Sequence, residues 1–408
     1  MLDALAPSPA DQVRKRMDQL ARADGAARLI AAADSLAKPS QCLERTLDVE
    51  GVGQLDAFRV RFAQGGEPTK GGIRFDADAD AHEVERLALL MALKCALSGL
   101  PYGGAKGAVK VDARTLDRSQ RDQVARAYAR AFSDIIGPDT DVPAPDIATG
   151  ADEMDAIRRE LGYEKGASRA PITGLPPEHG GLKLRKGATG LGAWRVYQRL
   201  CKEGLCVARP RIAIQGFGNA GKAFAHAACA NGAVIVAASD SRSLAHDRDG
   251  LDLDALDARK SDTGKVGQSG DPESIFTIDC DVLVLAAKGT SVTSKTAQEI
   301  KAGRLVEIAN APVTGEGYQV LDARGIQSLP DILANAGGVV GSYFEWREFA
   351  RSEQPDNDAL QAEWEAVMDA AADRVSARVD QTGLPVHSAA LVEALHQLEP
   401  GSRQLLVS

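Results

Sequence analysis

The order of apolar and polar residues along this 408-residue chain predicts alternating strands and helices. In residues 55–63 apolar side chains alternate with polar ones, which is the period of a half-buried strand. We expect Arg59 and Arg61 to form the solvent-facing side of this strand. Residues 84–95 instead carry apolar side chains at three- and four-residue steps, which predicts a helix with one buried face.

The rest of the chain continues the alternation in the order of a doubly wound parallel sheet. Residues 11–36 predict a further helix, at the N-terminus, packed on a domain or a neighbouring subunit. The fold class is therefore α/β. The predicted strands are residues 211–215, 233–238, 281–287 and 304–310, and the predicted helices are residues 117–135, 150–161, 188–203, 220–230, about 357–375 and 388–398.

A segment rich in glycine and proline, residues 165–190, interrupts these patterns and indicates a domain boundary. We expect an N-terminal α/β domain over residues 1–183 and a Rossmann-type doubly wound domain over residues 184–369. The last helices, residues 370–408, are expected to pack back onto the first domain.

The charge balance disfavours some partners. With 48 basic and 57 acidic residues the net charge is −9, so the chain would repel the phosphates of nucleic acid. The first residues lack the apolar core of a signal peptide, and no apolar run approaches the roughly 20 residues of a membrane helix. We expect a cytoplasmic protein that binds neither nucleic acid nor a membrane.

The six cysteines form no Cys-x-x-Cys pair and no zinc-binding spacing with the six histidines. No metal site is predicted. In a reducing compartment we expect free, mostly buried thiols.

A glycine motif indicates nucleotide binding. The segment QGFGNAG, residues 215–221, follows a short apolar strand and precedes a predicted helix. Gly216 makes the turn, Gly218 lets a pyrophosphate approach the backbone, and Gly221 lets helix and strand pack closely. Asp240 ends the next predicted strand, where a carboxylate can bind the adenosine ribose.

The choice of dinucleotide depends on the residues around this acid. Asp240 favours NAD, because a carboxylate repels the 2′-phosphate of NADP. Arg242 could bind that phosphate, and Ser239 leaves room for it. NAD is the predicted cofactor, with NADP as the alternative.

Three lysines lie beside glycine turns or at the edge of a helix in residues 70–110. Lys70 precedes Gly-Gly, Lys94 borders the apolar stripe of its helix, and Lys106 lies between glycines. Each alone could extend a charged head into water. Together they predict a pocket for a small anion with more than one carboxylate.

Asp146 follows two prolines that stiffen the chain. It could be a turn residue or a helix cap. Thr149 with Asp152 is a better cap for the next helix, which leaves Asp146 available for chemistry.

Six segments together resemble the glutamate dehydrogenases, in the superfamily that includes the leucine, phenylalanine and valine dehydrogenases. They are PTKGGIRF (68–75), LLMALKCALSGLPYGGAKG (89–107), DVPAPDIAT (141–149), GATG (187–190), QGFGNAG (215–221) and LPDILANAGGVVGSYFEW (329–346). The resemblance implies a substrate-binding and oligomerisation domain, a nucleotide domain, a cleft between them and a homo-hexamer. It also implies reversible oxidative deamination of L-glutamate to 2-oxoglutarate and ammonia.

The resemblance assigns a role to each candidate residue. Lys106 matches the catalytic lysine, Asp146 the acid that carries protons to and from the substrate nitrogen, and Lys94 the lysine that binds the α-carboxylate. Lys70 and Ser342 match the pair that binds the side-chain carboxylate. The remaining matches are Met91, Ala144, Thr189 and Val339 around the substrate, and Thr189, Gly216, Phe217, Gly218, Asn219, Gly221, Asp240, Ser241, Asn310 and Asn335 around the cofactor.

Burial among other cations should lower the pKa of Lys106. Burial in a closed cleft should raise the pKa of Asp146.

Five positions depart from the family pattern: Leu175, Leu191, Leu285, Ala108 and Ala311. They leave open two alternatives, a dehydrogenase for another amino acid and a regulatory subunit of weak activity.

Overall fold

The computed structural model describes residues 27–63, 65–204, 206–287, 289–353, 355–399 and 402–407. Of the predicted N-terminal helix it describes α1, Ala27–Ser35, and residues 11–26 lie outside the described residues. The chain forms two compact units. The first contains residues 1–186, 339–363 and 394–408, and the second contains residues 187–338 and 364–393.

The first unit is built on a five-stranded mixed sheet in the order β1-β2-β4-β3-β5. Strand β2 is antiparallel to β1 and β4, whereas β3 is parallel to β4 and β5. The strands are β1 (Gln41–Val49), β2 (Gly53–Phe62), β3 (Thr69–Phe75), β4 (Gly103–Val109) and β5 (Asp141–Pro145).

Three helices follow α1 in this unit: α2 (Ala81–Leu97), α3 (Arg118–Ala131) and α4 (Ala151–Glu160). Helix α2 begins after Asp80, whose carboxylate accepts a hydrogen bond from the Glu83 amide at 2.8 Å. The predicted cap at Thr149 is wrong. Helix α4 begins after Gly150, whose amide donates to the Glu153 carboxylate at 2.7 Å, while the Thr149 hydroxyl donates to the Ile73 carbonyl at 2.7 Å.

The prediction that Arg59 faces solvent is also wrong. Its side chain is fully buried, and its guanidinium donates two hydrogen bonds of 2.8 Å to the Asp141 carboxylate and one of 3.0 Å to the Gly71 carbonyl. Alternation of apolar and polar residues suggests one solvent-facing side, but residues 57–60 of β2 are all buried, so both faces of the strand are covered there. Arg61 is half-buried and donates to the Thr69 hydroxyl.

The second unit contains the predicted doubly wound sheet. Its six strands lie in the order β11-β10-β9-β6-β7-β8, and all neighbours are parallel except β7 and β8. The strands are β6 (Arg211–Gln215), β7 (Val234–Ser239), β8 (Leu244–His246), β9 (Val282–Leu285), β10 (Arg304–Glu307) and β11 (Gln327–Leu329). The α/β class and the parallel nucleotide-type sheet are thereby confirmed.

Helices fill the connections of this sheet and continue after it. They are α5 (Ala188–Arg199), α6 (Asn219–Ala230), α7 (Leu253–Thr263), α8 (Ser294–Glu299), α9 (Gly315–Ala323), α10 (Asp331–Ala334), α11 (Gly337–Glu348), α12 (Asn357–Thr382) and α13 (Val386–Leu398). The last three helices are divided between the units. Residues 339–363, expected in the nucleotide domain, pack in the first unit, and residues 370–393, expected to pack on the first domain, lie in the second.

One expectation about the cysteines is wrong, because Cys201 and Cys206 form a disulfide. Cys201 lies in the short 3₁₀ turn that follows α5, residues 200–203, and its proximity to Cys206 could not be read from a five-residue spacing. Cys95 and Cys280 are buried free thiols, as expected, whereas Cys42 is exposed. Within the described ranges, no helix is long and apolar enough to cross a membrane.

Replacing Arg59 should destabilise the protein strongly. The change Arg59→Met keeps the side-chain volume but leaves Asp141 as an unpaired buried charge, so we expect a loss of about 3–5 kcal/mol. The matched control is Arg45→Met, which breaks the pair of Arg45 with Asp134, whose side chains are 28% and 58% exposed. That change should cost less than about 1 kcal/mol. Urea unfolding followed by circular dichroism measures both, and similar midpoints for the two variants would contradict the prediction.

Candidate active site

The three predicted lysines are all buried in the first unit. Lys70 on β3, Lys94 in the last turn of α2 and Lys106 on β4 are 1%, 5% and 3% exposed. The alternative of charged heads extending into water is therefore wrong. Gly104 explains part of this burial. A Cβ atom at that position would lie 2.2 Å from the Ala92 nitrogen, so only glycine lets α2 pack this closely on β4.

Lys106 and Arg74 both form ion pairs with Asp146. The Lys106 Nζ lies 2.9 Å from Asp146 Oδ2, and the Arg74 Nε donates to the same oxygen at 2.7 Å. Arg74 extends from β3, and its Nη1 donates to the Glu83 carboxylate at 2.8 Å. Sequence analysis thus identified Lys106 and Asp146, and the structure adds Arg74 and Glu83 to the same charged cluster.

The pKa of Lys106 is lowered to about 8, mainly by burial and, in the same direction, by the charges of Arg74 and Lys94. This confirms the predicted direction. The expectation for Asp146 is wrong. Burial would raise its pKa, but the charges of Lys106 and Arg74 outweigh burial and hold the pKa below its ordinary value.

Lys70 lies in a second cluster of buried charged groups. Its Nζ donates to the Pro143 carbonyl at 3.4 Å, and its pKa is held well below the ordinary value by burial and then by the charge of Arg185. Arg185 Nη1 donates to the Glu345 carboxylate at 3.0 Å, and that carboxylate also accepts from the amides of Gly174 and Leu175. Glu345 is fully buried.

Arg185 is a candidate site residue that sequence analysis missed. It ends a short 3₁₀ turn, residues 183–185, inside the loop that was read only as a domain boundary. A cation in a loop without periodicity gives no pattern signal. The available clue was its position two residues before Gly187, which begins the GATG segment.

The remaining predicted substrate contacts are distributed over both units. In the first unit Ala144 lies on β5, which pairs with the strand β3 that carries Lys70, and Val339 and Ser342 lie on α11. All three are buried, and Met91 on α2 is half-buried. Thr189 lies in the first turn of α5, in the second unit.

The glycine motif of the second unit forms the turn between β6 and α6. Gly216 has a φ of +92°, and a Cβ there would lie 2.6 Å from the Ala286 backbone, so a side chain is excluded. A Cβ on Gly221 would lie 2.1 Å from the Gly216 carbonyl oxygen. Around Gly218 the space is open, with no described atom within 4 Å of such a Cβ. The backbone of this turn is thus accessible from outside.

A cavity of about 620 Å³ lies beside this turn. It is lined by Gln215, Gly216, Phe217, Gly218, Ser239, Asp240, Ser241, Lys260, Pro272, Glu273 and Ala287. The cavity fits a dinucleotide because it contains the open backbone at Gly218 and the N-terminus of α6, where free amides bind phosphate. Asn219, the first residue of α6, is exposed.

Asp240 carries more hydrogen bonds than the sequence indicates. Its Oδ2 accepts from the Lys260 Nζ at 2.6 Å and from the Val266 amide at 2.9 Å, and its Oδ1 accepts from the Arg242 amide and the Ser243 hydroxyl. Burial opposes ionisation, but these donors lower the pKa of Asp240 to about 2. The carboxylate is therefore ion-paired within its own unit.

Asn310 and Asn335 lie next to each other after β10 and α10. The Asn335 Nδ2 donates to the Ile308 carbonyl at 2.9 Å and to the Asn310 Oδ1 at 3.1 Å. The Asn335 Oδ1 is buried and has no hydrogen-bond partner among the described residues. An unpaired buried acceptor suits a ligand that donates a hydrogen bond, such as an amide.

Two departures from the family pattern have structural consequences. Ala311, where the family often has glycine, has a φ of +45°, a conformation that strains a residue with a Cβ. Leu175 is buried, and its amide helps to hold Glu345.

The second unit is that of a nucleotide-binding dehydrogenase, and comparison with known proteins narrows the class. A family model described as Glutamate/Leucine/Phenylalanine/Valine dehydrogenase matches residues 180–403, and another, described as Glu/Leu/Phe/Val dehydrogenase, dimerisation domain, matches residues 39–163. The chain belongs to this family and is an NAD(P)-dependent dehydrogenase.

Relatives and solved structures agree with this assignment. The chain is 38% identical to an NAD-specific glutamate dehydrogenase of Staphylococcus aureus, over 79% of this chain and 80% of the relative. It is 36% identical to an NADP-specific glutamate dehydrogenase A1 of Halobacterium salinarum, over 90% and 91%. The structure of a hetero-hexameric glutamate dehydrogenase from Thermus thermophilus matches with a TM-score of 0.89 and 28% identity, covering 98% of each chain.

Substitutions in the glycine turn should separate cofactor binding from folding. Gly218→Ala places a methyl group in open space and should leave the fold intact, but it blocks the approach of a pyrophosphate. We expect NADH binding, measured by fluorescence titration, to weaken by on the order of tenfold or more. Gly303→Ala is the control, because Gly303 is equally open and lies outside the cavity lining. Unchanged NADH affinity in Gly218→Ala would count against the assigned cofactor position.

Proposed function

We propose that the protein catalyses the reversible oxidative deamination of L-glutamate to 2-oxoglutarate and ammonia. The observation that supports glutamate is the charge around Lys70. Lys70 and Arg185 are two cations with one buried acid, Glu345, beside them. The side-chain carboxylate of glutamate would compensate the remaining charge, whereas an aliphatic side chain would leave it unpaired.

Lys94 and Ser342 complete the proposed substrate contacts. Lys94 binds the α-carboxylate, which every amino acid has, and Ser342 donates a hydrogen bond to the side-chain carboxylate. Met91, Ala144, Thr189 and Val339 supply the apolar and small surfaces around the substrate. Since Lys94 binds a group that all amino acids share, Lys70 and Arg185 are the residues that distinguish glutamate from leucine.

The catalytic steps follow from the proton affinities of Lys106 and Asp146. When Lys106 loses its proton above a pH of about 8, Asp146 loses one of the two charges that lower its pKa. The carboxylate then becomes a better base and accepts a proton from the substrate's α-ammonium group. A bound nicotinamide would supply the acceptor for the hydride of the α-carbon, and loss of that hydride would leave the substrate as an iminium ion.

Hydrolysis of the iminium uses the same two residues. The neutral Lys106 amine takes a proton from a water molecule while the oxygen of that water bonds to the iminium carbon. Asp146 returns its proton to the nitrogen of the resulting carbinolamine. Ammonia leaves as the hydroxyl group loses its proton to solvent and the carbonyl of 2-oxoglutarate forms.

Both NAD and NADP are proposed cofactors. Gly216, Phe217, Gly218, Asn219 and Gly221 would hold the pyrophosphate, and Asn335 with Asn310 would hold the nicotinamide amide. The prediction of NAD rested on repulsion between Asp240 and a 2′-phosphate. The ion pair with Lys260 offsets that repulsion, and the Ser241 hydroxyl in the same cavity can donate to either form of the ribose.

We further propose a homo-hexamer in the cytoplasm. Among the relatives, the Thermus thermophilus enzyme is described as hetero-hexameric. The proposal of identical subunits rests on the complete set of site residues in this one chain, which leaves no chemical step for a second kind of subunit.

Substitutions of two lysines should have different effects on two substrates. Lys70→Leu should lower kcat/KM for 2-oxoglutarate by on the order of 10²-fold, because a buried carboxylate loses its partner. It should affect an aliphatic 2-oxoacid such as 2-oxohexanoate far less. Lys106→Ala should lower the rates with both by on the order of 10³-fold, since it removes the base.

NADH oxidation measures these rates, and circular dichroism controls for folding. Equal losses on both substrates in Lys70→Leu would contradict the role of Lys70. A homogeneous wild-type sample without glutamate-dependent NADH formation would instead favour the regulatory subunit.

A further inference from the structure

Arg74 has no part in the chemical steps above, yet it contacts the proposed proton carrier directly. It is buried on β3, four residues after Lys70, and its Nε donates to Asp146 Oδ2 at 2.7 Å. Lys106 binds the same oxygen at 2.9 Å. Both of these contacts are made to Oδ2 of Asp146, and the Asp146 side chain is 17% exposed.

A second contact fixes the orientation of Arg74. Its Nη1 donates at 2.8 Å to Glu83, which lies in the first turn of α2, the helix that also carries Lys94. A guanidinium group is planar, so two acids bound to its nitrogens determine the direction of both bonds. Arg74 therefore links β3, α2 and the loop after β5 at the carboxylate of Asp146.

We propose that Arg74 is a positioning residue that holds Oδ2 of Asp146 and thereby presents Oδ1 to the substrate nitrogen for proton transfer. This inference rests on the proposed function. Without Arg74, only the flexible Lys106 side chain would hold the carboxylate, and both of its oxygens could turn towards the lysine.

Arg74 also contributes a permanent charge to the cluster. The charges that act on Lys106 are those of Asp146, of Arg74 on β3 and of Lys94 on α2. Arg74 is in turn surrounded by Asp146, by Glu83 on α2 and by Asp76 after β3. Arg74 lowers the pKa of Lys106 and shares the acid that would otherwise stabilise the protonated lysine. Its removal should raise the pKa of Lys106 and shift the rise of deamination rate to higher pH.

Loss of Arg74 should not prevent folding. Asp146 would keep its partner Lys106, and the Glu83 side chain is 30% exposed and can be solvated. This differs from Arg59, whose acid partner is fully buried and would lose both of its guanidinium hydrogen bonds.

The test compares Arg74→Gln and Arg74→Lys in the full-length enzyme. Arg74→Gln should lower kcat for glutamate by on the order of 10²-fold with little change in KM, because a misplaced proton carrier affects turnover more than binding. Its pH–rate profile should move to higher pH. Arg74→Lys keeps the charge but not the planar fork, so it should restore the wild-type pH midpoint and recover only part of kcat.

The control is Arg195→Gln, which removes a partly buried arginine of the second unit that pairs with Asp369 at 2.7 Å. It should leave the pH profile unchanged. A wild-type kcat and pH midpoint in Arg74→Gln would overturn the proposal while leaving the proposed function intact.

A measurement that does not depend on turnover tests the role of Arg74 separately from the proposed glutamate activity. Acetic anhydride modifies neutral amines, so the pH dependence of Lys106 acetylation, followed by mass spectrometry, reports its pKa directly. The midpoint should lie near 8 in the wild type and higher in Arg74→Gln. Equal midpoints would overturn the role of Arg74, even in an enzyme whose substrate proved not to be glutamate.

Discussion

Burial of positive charge is the constraint on which the first unit depends. Its sheet and the adjoining helix carry lysines and arginines that are almost inaccessible to water, and a buried cation is stable only beside an acid or a ligand. Asp141 pairs with Arg59, Asp146 with Arg74 and Lys106, and Glu345 with Arg185. These acids come from β5, the loop after it and α11, so elements distant in sequence must assemble before the charges are compensated.

The same constraint prepares the site for chemistry. Desolvation lowers the pKa values of Lys70 and Lys106, and neighbouring cations lower them further. A carboxylate bound beside Lys70 would restore the charged form of that lysine. The proposed role of Lys106 instead requires the uncharged amine, because only the neutral form can accept a proton. Different partners would therefore allow two buried lysines of the same sheet to have the different roles proposed for them.

Periodicity and motif spacing predicted most of the elements, because these depend on local sequence, and the family resemblance singled out Lys106 and Asp146 as the proposed catalytic pair. The turn at Gly216 and the helix after it follow from glycine positions alone. What could not be predicted depends on contacts between distant residues. Arg59 has the pattern of a surface residue, and Asp141, 82 residues away, is what permits its burial. Arg185, the Lys260 partner of Asp240 and the low pKa of Asp146 likewise result from neighbours that the sequence does not bring together.

Glutamate specificity is the central claim, and a direct comparison of substrates tests it. Initial rates of NADH and NADPH formation should be measured with glutamate, aspartate, leucine, valine and phenylalanine at several concentrations. The charge around Lys70 and Arg185 predicts the highest kcat/KM for glutamate with either cofactor, by on the order of 10²-fold or more over leucine. A higher value for leucine or another apolar amino acid would contradict it.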